Sequence, residues 1–341
     1  MNEILNVLDP TEHIIFSLRD LYRKNGYKRY KMDKFEDYDL YGQNREFLVS
    51  DRLITFTDGS GRLKALKPDV TLSVVLNSHD LLDDVEKFCY NESVYRMDAD
   101  GVFREIDQTG IECIGKVDEA CMDEVLSLAA KSLSLISDKY VLSLSELTIL
   151  SSFIKKVVKN VEPKRQEEVE KALFAALGRR SKSGILEIAE EAQAEEKDVR
   201  ALIGLLTLPQ DTDEAIAILR VLLAASEATD LTEDDYTDPE PKEASEALTA
   251  LLKLEEHIEC LKAAGLKAEL DFSLAGDLHY YNGIVFQGFL EGVPESVLSG
   301  GQYDGLMRSM GMRANAAGFA VYLDRIQNAG IQERTAGGKE S

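Results

Sequence analysis

The spacing of apolar residues changes early in the chain from a helical period to a strand-like one. Over residues 11–25 they recur at intervals of three and four, which predicts an amphipathic helix that Gly26 ends. Short apolar runs follow at 47–49 and 53–56, and the second is closed by the Asp-Gly-Ser-Gly sequence at 58–61. This pattern predicts short strands joined by tight turns.

The next part of the sequence carries the clearest hairpin signal. A helix is predicted over 71–76, and strand-like runs at 87–95 and 102–114 flank the turn-forming residues 98–101. The segment 118–137 returns to a helical period. We therefore expect two long antiparallel strands followed by a helix.

The middle of the chain is nearly all helical by composition. Residues 144–265 are rich in Ala, Leu, Glu and Lys, with acidic breaks at 209–211 and 229–241. Beyond this stretch, runs at 268–274 and 279–289 predict a second hairpin. The helical stretch thus lies between two parts that are rich in strands.

A last buried strand is predicted over 318–323, running into a helix at Asp324. Strands dominate the flanks and helices the middle, which predicts an α+β protein: a largely antiparallel sheet backed by helices, with an all-helical insertion. The expected segments are a first part of the core (1–143), the helical insertion (144–265), a second part of the core (266–328) and a flexible tail (329–341).

Charge and composition narrow the classes of function. The 62 acidic and 39 basic side chains give a net charge of −23, which disfavours binding to a phosphate backbone such as that of tRNA. The four cysteines and four histidines lack metal-ligand spacing, and we expect neither a metal nor a cofactor. No stretch is apolar enough for a membrane span, and no secretory signal is visible, so a cytoplasmic protein is expected.

Polar residues at regular spacing mark the second strand of the first predicted hairpin. Arg104, Gln108 and Glu112 all have even numbers and therefore share one face of that strand. Arg96 lies just before the turn on the partner strand, which brings a second guanidinium near the first. An ordinary solvated sheet face would show the same pattern.

Three further motifs carry candidate polar side chains, at 67–71, 280–286 and 300–306. Asp69 and Thr71 offer acceptors just before a helix, either for a ligand or as a simple helix cap. Tyr280 and Tyr281 open a strand with two hydroxyls, which also suits half-buried packing. The glycines at 300–301 allow a close backbone approach or a turn.

Taken in order, six motifs resemble the catalytic core of histidyl-tRNA synthetase, a class II synthetase. They are KPDVT (67–71), YR (95–96), FREIDQTGIECIG (103–115), YYNGIVF (280–286), GGQYDGL (300–306) and GFAVYLDRI (318–326). The resemblance implies the class II synthetase fold and puts the helical stretch where that family carries its insertion domain.

Within this family, four departures favour the regulatory subunits of ATP phosphoribosyltransferase over the synthetases. The sequence runs only a short way beyond Arg325, where synthetases append an anticodon-binding domain. Gly276 stands where synthetases have an arginine that stabilises the activated carboxylate, and Asp69 stands where they have Glu. The strong acidity is the fourth departure. A non-catalytic subunit is implied, required for the first step of histidine biosynthesis and for feedback inhibition by histidine.

The resemblance also implies a histidine-binding site. Its expected members are Asp69, Thr71, Arg96, Gln108, Glu112, Tyr280, Tyr281 and Tyr303. By carry-over, Asp69, Thr71 and Gln108 would hold the α-amino group, and Glu112 and Tyr281 would bracket the imidazole. Two further arginines, Arg104 and Arg325, correspond to nucleotide contacts of the synthetase and would be vestigial here.

The implied partners are a short-form catalytic subunit and a second copy of the chain, as a homodimer inside a larger hetero-oligomer, with histidine as effector and no tRNA. Two alternatives stay open at this point. One is a stand-alone synthetase-like enzyme that activates histidine with ATP. The presence of Arg96, Arg104 and Arg325 favours this alternative. The other is a scaffold that binds no ligand.

Overall fold

A computed structural model describes residues 8–43, 48, 52–97, 100–227, 245–277 and 281–328. The chain divides into two compact units, which we describe separately. The first comprises residues 1–142, 279–281 and 287–341, and the second comprises 143–278 and 282–286. The segment boundaries expected from the sequence remain predictions.

The helices of the described residues are α1 Pro10–Lys24, α2 Tyr38–Gly42, α3 Thr71–Leu76, α4 Glu119–Ile136, α5 Leu147–Val157, α6 Pro163–Gly178, α7 Lys182–Glu191, α8 Glu196–Gly204, α9 Thr212–Glu227, α10 Glu246–Ala263, α11 Asp304–Ser309 and α12 Leu323–Asn328, with short 3-10 helices at Leu205–Thr207 and Phe272–Asp277. The strands are β1 Lys28–Arg29, β2 Phe35–Asp37, β3 Thr55–Thr57, β4 Leu63–Leu66, β5 Val85–Met97, β6 Phe103–Gly115, β7 Tyr140–Glu146, β8 Glu269–Leu270, β9 Ile284–Leu290, β10 Leu298–Gln302 and β11 Asn315–Tyr322.

The first unit contains strands β1, β5, β6, β11 and β10, which are neighbours in that order in one sheet. Strands β5 and β6 form the predicted long hairpin, and β6, β11 and β10 continue it with antiparallel pairing. The two-residue strand β1 pairs with β5 in parallel. This mostly antiparallel sheet with helices beside it confirms the fold class expected from the sequence.

Helices α1 and α4 cover one face of this sheet. Asp9 and Glu12 form a capping box at the start of α1, which satisfies two of its free backbone N–H groups. The apolar side of the helix carries buried Tyr22, whose ring packs edge-on against Phe319 of β11 and whose hydroxyl contacts Ser132 of α4 at 3.0 Å. The odd-numbered side chains of β6 point to this helical layer, which leaves the even-numbered ones on the opposite face.

A second layer lies over that opposite face. Helix α2, the small antiparallel sheet of order β2-β4-β3 and helix α3 contribute buried Tyr41, Ala65 and Val74, respectively, to one cluster. The same cluster contains Val94 of β5 and Met307 of α11. Because apolar residues close this layer around the sheet, polar side chains that point into it are withdrawn from bulk water.

The second unit is mainly helical, as expected for the insertion. Side chains cap several of its helices: Glu146 accepts from the backbone of Ile149 at 2.8 Å at the start of α5, and Ser181 accepts from Gly184 at 3.1 Å at the start of α7. Buried residues such as Leu177 of α6 form its interior. Among the described residues, no helix is both long and apolar enough to cross a bilayer.

The second predicted hairpin is wrong. Strand β8 has only two residues and pairs in parallel with β7, where Ser143 lies opposite Glu269. Asp271 then accepts from the backbone N–H of Ser273 at 2.9 Å and starts the 3-10 helix instead of a longer strand. An aspartate that bonds its own local backbone competes with strand pairing in this way.

Smaller differences concern strand limits. The run at 53–56 becomes β3, Thr55–Thr57, and the last strand begins at Asn315 rather than 318. Most of the run predicted at 47–49 and all of the acidic break at 229–241 lie outside the described residues.

Candidate functional site

One pocket opens on the face of the sheet opposite α1 and α4, and its walls belong to the first unit. It holds about 380 Å³ of empty space, a volume that includes space open to solvent. Its lining residues are Asp69, Thr71, Tyr90, Arg96, Gln108, Glu112, Tyr281, Ser299, Tyr303, Gly318, Phe319, Ala320 and Tyr322. Most carry polar groups, so the pocket suits a small polar ligand.

Strands β6 and β11 form the floor of the pocket. Gln108 and Glu112 point into it from β6, and both are almost completely buried. Gly318 of β11 lies opposite Glu112 in the strand register, and a Cβ added there would come within 2.0 Å of the Glu112 carboxylate. Gly110 is equally confined, with a hypothetical Cβ 2.1 Å from the carbonyl oxygen of Phe319. These two glycines let the strands carry buried polar side chains.

Asp69 at the start of α3 bridges two elements. Its Oδ1 accepts from the backbone N–H of Leu72 at 3.0 Å, which is a helix-capping contact. Its Oδ2 accepts from Nη2 of Arg96 on β5 at 3.0 Å, and Nε of the same arginine donates to the carbonyl of Pro68 at 2.6 Å. Asp69 therefore both caps a helix and lines the pocket. The two interpretations of this motif, a helix cap and a ligand contact, are compatible.

Glu112 is the most buried acid of the pocket, with 1% of its surface exposed. Thr71 donates to its Oε1 at 2.7 Å, and the hydroxyl of Tyr303 donates to its Oε2. Burial raises the pKa of Glu112 to about 8; the two hydroxyl donors oppose this shift, and the nearby negative charge of Asp69 adds to it. Near neutral pH this carboxyl group is therefore mostly protonated and can donate a hydrogen bond to a ligand.

Tyrosines form much of the remaining wall. The rings of Tyr281 and Tyr303 lie edge to face with centroids 6.4 Å apart. Burial raises the pKa of both Tyr303 and Tyr90 well above its ordinary value, so their hydroxyls stay protonated. Tyr90 uses its hydroxyl to donate to the carbonyl of Phe319 at 3.4 Å.

The structure brings together seven of the eight residues that the resemblance assigns to the ligand: Asp69, Thr71, Arg96, Gln108, Glu112, Tyr281 and Tyr303. The eighth, Tyr280, lies outside the described residues. Their role toward histidine stays a prediction.

The two arginines expected as vestigial nucleotide contacts are not among the pocket's lining residues. Arg104 lies opposite Arg96 in the register of β5 and β6 but is exposed toward the hairpin end. Arg325 on α12 is held by Ser296 and by Glu295 at 3.1 Å, with its guanidinium 4.3 Å from the centre of the Tyr322 ring. Arg96 is the one arginine that reaches the pocket in the described part of the chain.

Sequence reasoning missed several wall residues. Tyr90 has the same even parity as Arg96 on β5, so strand alternation could have identified it. Buried Lys67 pairs with Glu92, which lies opposite Gln108 in the β5–β6 register and on the same face of the sheet.

The chemistry of the pocket is that of recognition. The carboxylate of Asp69 is paired with the one guanidinium, that of Arg96, and the protonated carboxyl group of Glu112 adds a neutral donor. Hydroxyls and the Gln108 amide supply neutral donors and acceptors. Within the described ranges, no group of three His, Cys, Asp or Glu side chains could hold a metal ion.

Comparison with known proteins agrees with this architecture. The histidyl-tRNA synthetase family profile matches residues 8–326. A similar curated protein is the ATP phosphoribosyltransferase regulatory subunit of Clostridium novyi (strain NT), 26% identical over 318 residues that cover 92% of this chain and 70% of the relative.

Two solved structures share the fold. One is an ATP phosphoribosyltransferase regulatory subunit/histidyl-tRNA synthetase from Bacillus halodurans C, with a TM-score of 0.75 and 23% identity over 94% of this chain and 78% of that one. Another is an ATP phosphoribosyl transferase (HisG:HisZ) complex from Thermotoga maritima, with a TM-score of 0.63 and 15% identity over 91% and 96%. The profile match spans nearly the whole chain and confirms the resemblance predicted from six motifs: the chain belongs to the histidyl-tRNA synthetase family.

Proposed function

We propose that this chain is the non-catalytic regulatory subunit of an ATP phosphoribosyltransferase, required for the first step of histidine biosynthesis and for its feedback inhibition by histidine. The observation that carries the proposal is the buried carboxyl group of Glu112, which is held between Thr71 and Tyr303 and lines the pocket. The relatives that bear the name of such a subunit support it.

Histidine fits the chemistry of the walls group by group. Its ammonium would meet the carboxylate of Asp69 and the neutral acceptors of Thr71 and Gln108. Its ring would lie between the carboxyl group of Glu112 and the hydroxyl of Tyr281, because an imidazole offers one donor and one acceptor nitrogen. A ligand without such a ring would leave the proton of the buried Glu112 carboxyl group without an acceptor, at a cost of ~1–3 kcal/mol.

The arrangement of the arginines favours this proposal over a synthetase-like enzyme. Activation of a carboxylate by ATP needs positive charge aimed at the reacting phosphate. Arg96 is engaged by Asp69 and Pro68, and Arg325 by Glu295 and Ser296. The sequence has Gly276 where the synthetase arginine would stand.

The proposed partners follow from the same assignment. A short catalytic subunit would carry the chemistry, and this chain would pair with a second copy inside the hetero-oligomer. Histidine would act by binding two arrangements of that complex with different affinity. With a net charge of −23, the chain is not expected to bind tRNA, and we place its work in the cytoplasm.

The first test measures phosphoribosyl-ATP formation by a cognate short catalytic subunit, with and without this chain and with and without histidine. We expect the chain to activate the catalytic subunit and histidine to suppress that activation. If the chain leaves the rate unchanged, the regulatory proposal fails. ATP–pyrophosphate exchange with histidine then tests the enzyme alternative directly.

The ligand assignment is tested by Glu112→Ala, with Glu105→Ala as a matched control on the same strand. Glu105 is exposed and bonds Tyr95 rather than any pocket residue. Removing the buried carboxyl group should weaken histidine binding by ~1–3 kcal/mol, about five- to 150-fold, in isothermal titration calorimetry. An affinity within twofold of wild type in Glu112→Ala would show that the ring is bound elsewhere.

A further inference from the structure

The floor of the pocket rises along strand β11. Gly318, Ala320 and Tyr322 all line the pocket and alternate along the strand, so they share one face of the sheet. Their side chains grow from a hydrogen atom to a methyl group to a phenol ring. The floor is therefore lowest at Gly318 and highest at Tyr322.

Strand β6 runs beside this slope and gives its length. Glu112 lies opposite Gly318 in the register, and Gln108 lies opposite Tyr322. The strand advances about 13 Å from Glu112 to Gln108, at ~3.3 Å per residue. Of the residues that the structure describes, none of β6 before Gln108 and none of α12 lines the pocket. The floor thus has one end at Glu112 and the other at Tyr322.

The ring of Tyr322 is supported from outside the pocket. The guanidinium of Arg325, which is not a lining residue, lies 4.3 Å from the centre of this ring. Arg325 in turn donates to Oγ of Ser296 at 3.3 Å and pairs with Glu295 at 3.1 Å. The backbone N–H of Tyr322 donates to the carbonyl of Val297 at 2.8 Å. Because a cation–π contact and these bonds restrain it, the ring is a fixed wall rather than a movable gate.

The proposed binding mode sets the direction of the ligand. The imidazole of histidine would lie at Glu112, and its ammonium group near Gln108. Directly opposed residues of paired antiparallel strands have Cβ atoms about 4.5–5.5 Å apart, so Tyr322 lies beside Gln108 at this end. The carboxyl group of the ligand, which shares the α-carbon with the ammonium group, would therefore lie at the Tyr322 end of the pocket.

We propose that Tyr322 is a specificity-determining residue, which limits the pocket to a free amino acid and excludes amino acids extended through the carboxyl group. This inference rests on the proposed function, because it takes the direction of the ligand from it. Free histidine ends at its carboxylate and fits in front of the ring. A second residue joined at that point, as in a peptide, would overlap the ring. The subunit would then respond to free histidine and ignore histidyl peptides.

The test is calorimetric titration of the full-length chain with L-histidine, L-histidinamide and L-histidyl-glycine. The amide removes the carboxylate charge with almost no change in size, whereas the dipeptide adds bulk at the same point. We expect wild type to bind histidine at least about tenfold more tightly than the dipeptide. Tyr322→Ala should raise the affinity for the dipeptide about five- to 150-fold and leave the ratio between histidine and histidinamide unchanged. A merely structural role of Tyr322 would instead weaken all three ligands together.

Tyr322→Phe is the matched control, because it keeps the ring and removes the hydroxyl group. It should reject the dipeptide as wild type does. The comparison of ligands on wild type needs no variant, and Tyr322→Leu offers a milder truncation if Tyr322→Ala folds poorly.

Two results would overturn the assignment of Tyr322. One is a wild-type chain that binds the dipeptide as tightly as histidine, and the other is a folded Tyr322→Ala variant that binds histidine and still rejects the dipeptide. A wild-type chain that binds no histidine would count against the proposed function itself, so the two failures are distinguishable.

Discussion

Replacing Gly318 with alanine should lower the affinity for histidine by more than about tenfold, because the added methyl group crowds the carboxyl group of Glu112. The added Cβ would lie 2.0 Å from Oε2 of Glu112 and 2.4 Å from the carbonyl of Ile111. Neither neighbour can retreat easily, because Thr71 and Tyr303 hold the carboxyl group and Ile111 belongs to the strand ladder. Overpacking of this kind costs ~1–3 kcal/mol or more.

The measurement is calorimetric titration with histidine, combined with urea unfolding of the same sample. Gly59→Ala is the matched control, because nothing lies within 4 Å of the Cβ it would add. We expect the control to bind like wild type and Gly318→Ala to lose both affinity and unfolding free energy. A Gly318→Ala variant that binds within threefold of wild type would show that the Glu112 carboxyl group can move without loss of function.

Histidine affinity should also depend on pH in a specific way. Because burial raises the pKa of Glu112 to about 8, the empty pocket holds this carboxyl group protonated at neutral pH. Free histidine has a ring pKa near ~6.5, so the bound pair shares one proton. Between the ring pKa of free histidine and the pKa of Glu112, histidine binds without net uptake or release of a proton. Above pH 8 the complex must take up a proton when histidine binds, so the affinity should fall about tenfold per pH unit. Below a pH of about 6.5 binding must instead release a proton.

Two buried tyrosines of the pocket do not contribute to the fall in affinity above pH 8. Tyr303 and Tyr90 have pKa values raised well above the ordinary range, so they stay neutral there. The ammonium group of histidine begins to titrate at still higher pH. The variant Glu112→Gln distinguishes the effect of that titration from the effect of Glu112. This variant should bind more weakly at pH 7 and lack the fall between pH 8 and 9.

Calorimetry in two buffers with different ionisation enthalpies counts the protons. We expect wild type to take up none near pH 7.2 and to approach one per histidine above pH 8.5. A wild-type protein that takes up no proton at pH 9 would exclude Glu112 as the proton partner of the ring.

Local sequence patterns were sufficient for much of the fold. The β5–β6 hairpin and helix α3 follow from short-range signals, namely alternation, turn residues and apolar spacing. Strand parity also placed Gln108 and Glu112 on one face. The parallel pairing of β8 with β7 joins Ser143 to Glu269, and no local pattern carries information over that separation.

The sequence motifs predicted which residues belong to the site, but not how those residues contact one another. Tyr303 and Glu112 are 191 residues apart and meet only because β10, β11 and β6 are neighbours in the sheet. The pairing of Arg96 with Asp69 depends on where the loop before α3 crosses β5. Parity suggested Arg104 equally well, yet this residue is exposed and does not line the pocket, whereas Arg96, opposite it in the strand register, does. Alternation along a strand cannot distinguish two such neighbours.

The lining residues of the pocket all come from one of the two units of the chain. Ligand recognition and the helical stretch can therefore evolve at different rates. Substitutions between residues 143 and 278 replace none of the side chains that line the pocket, so this stretch can diverge without a change in the lining residues. In evolutionary terms the chain is modular.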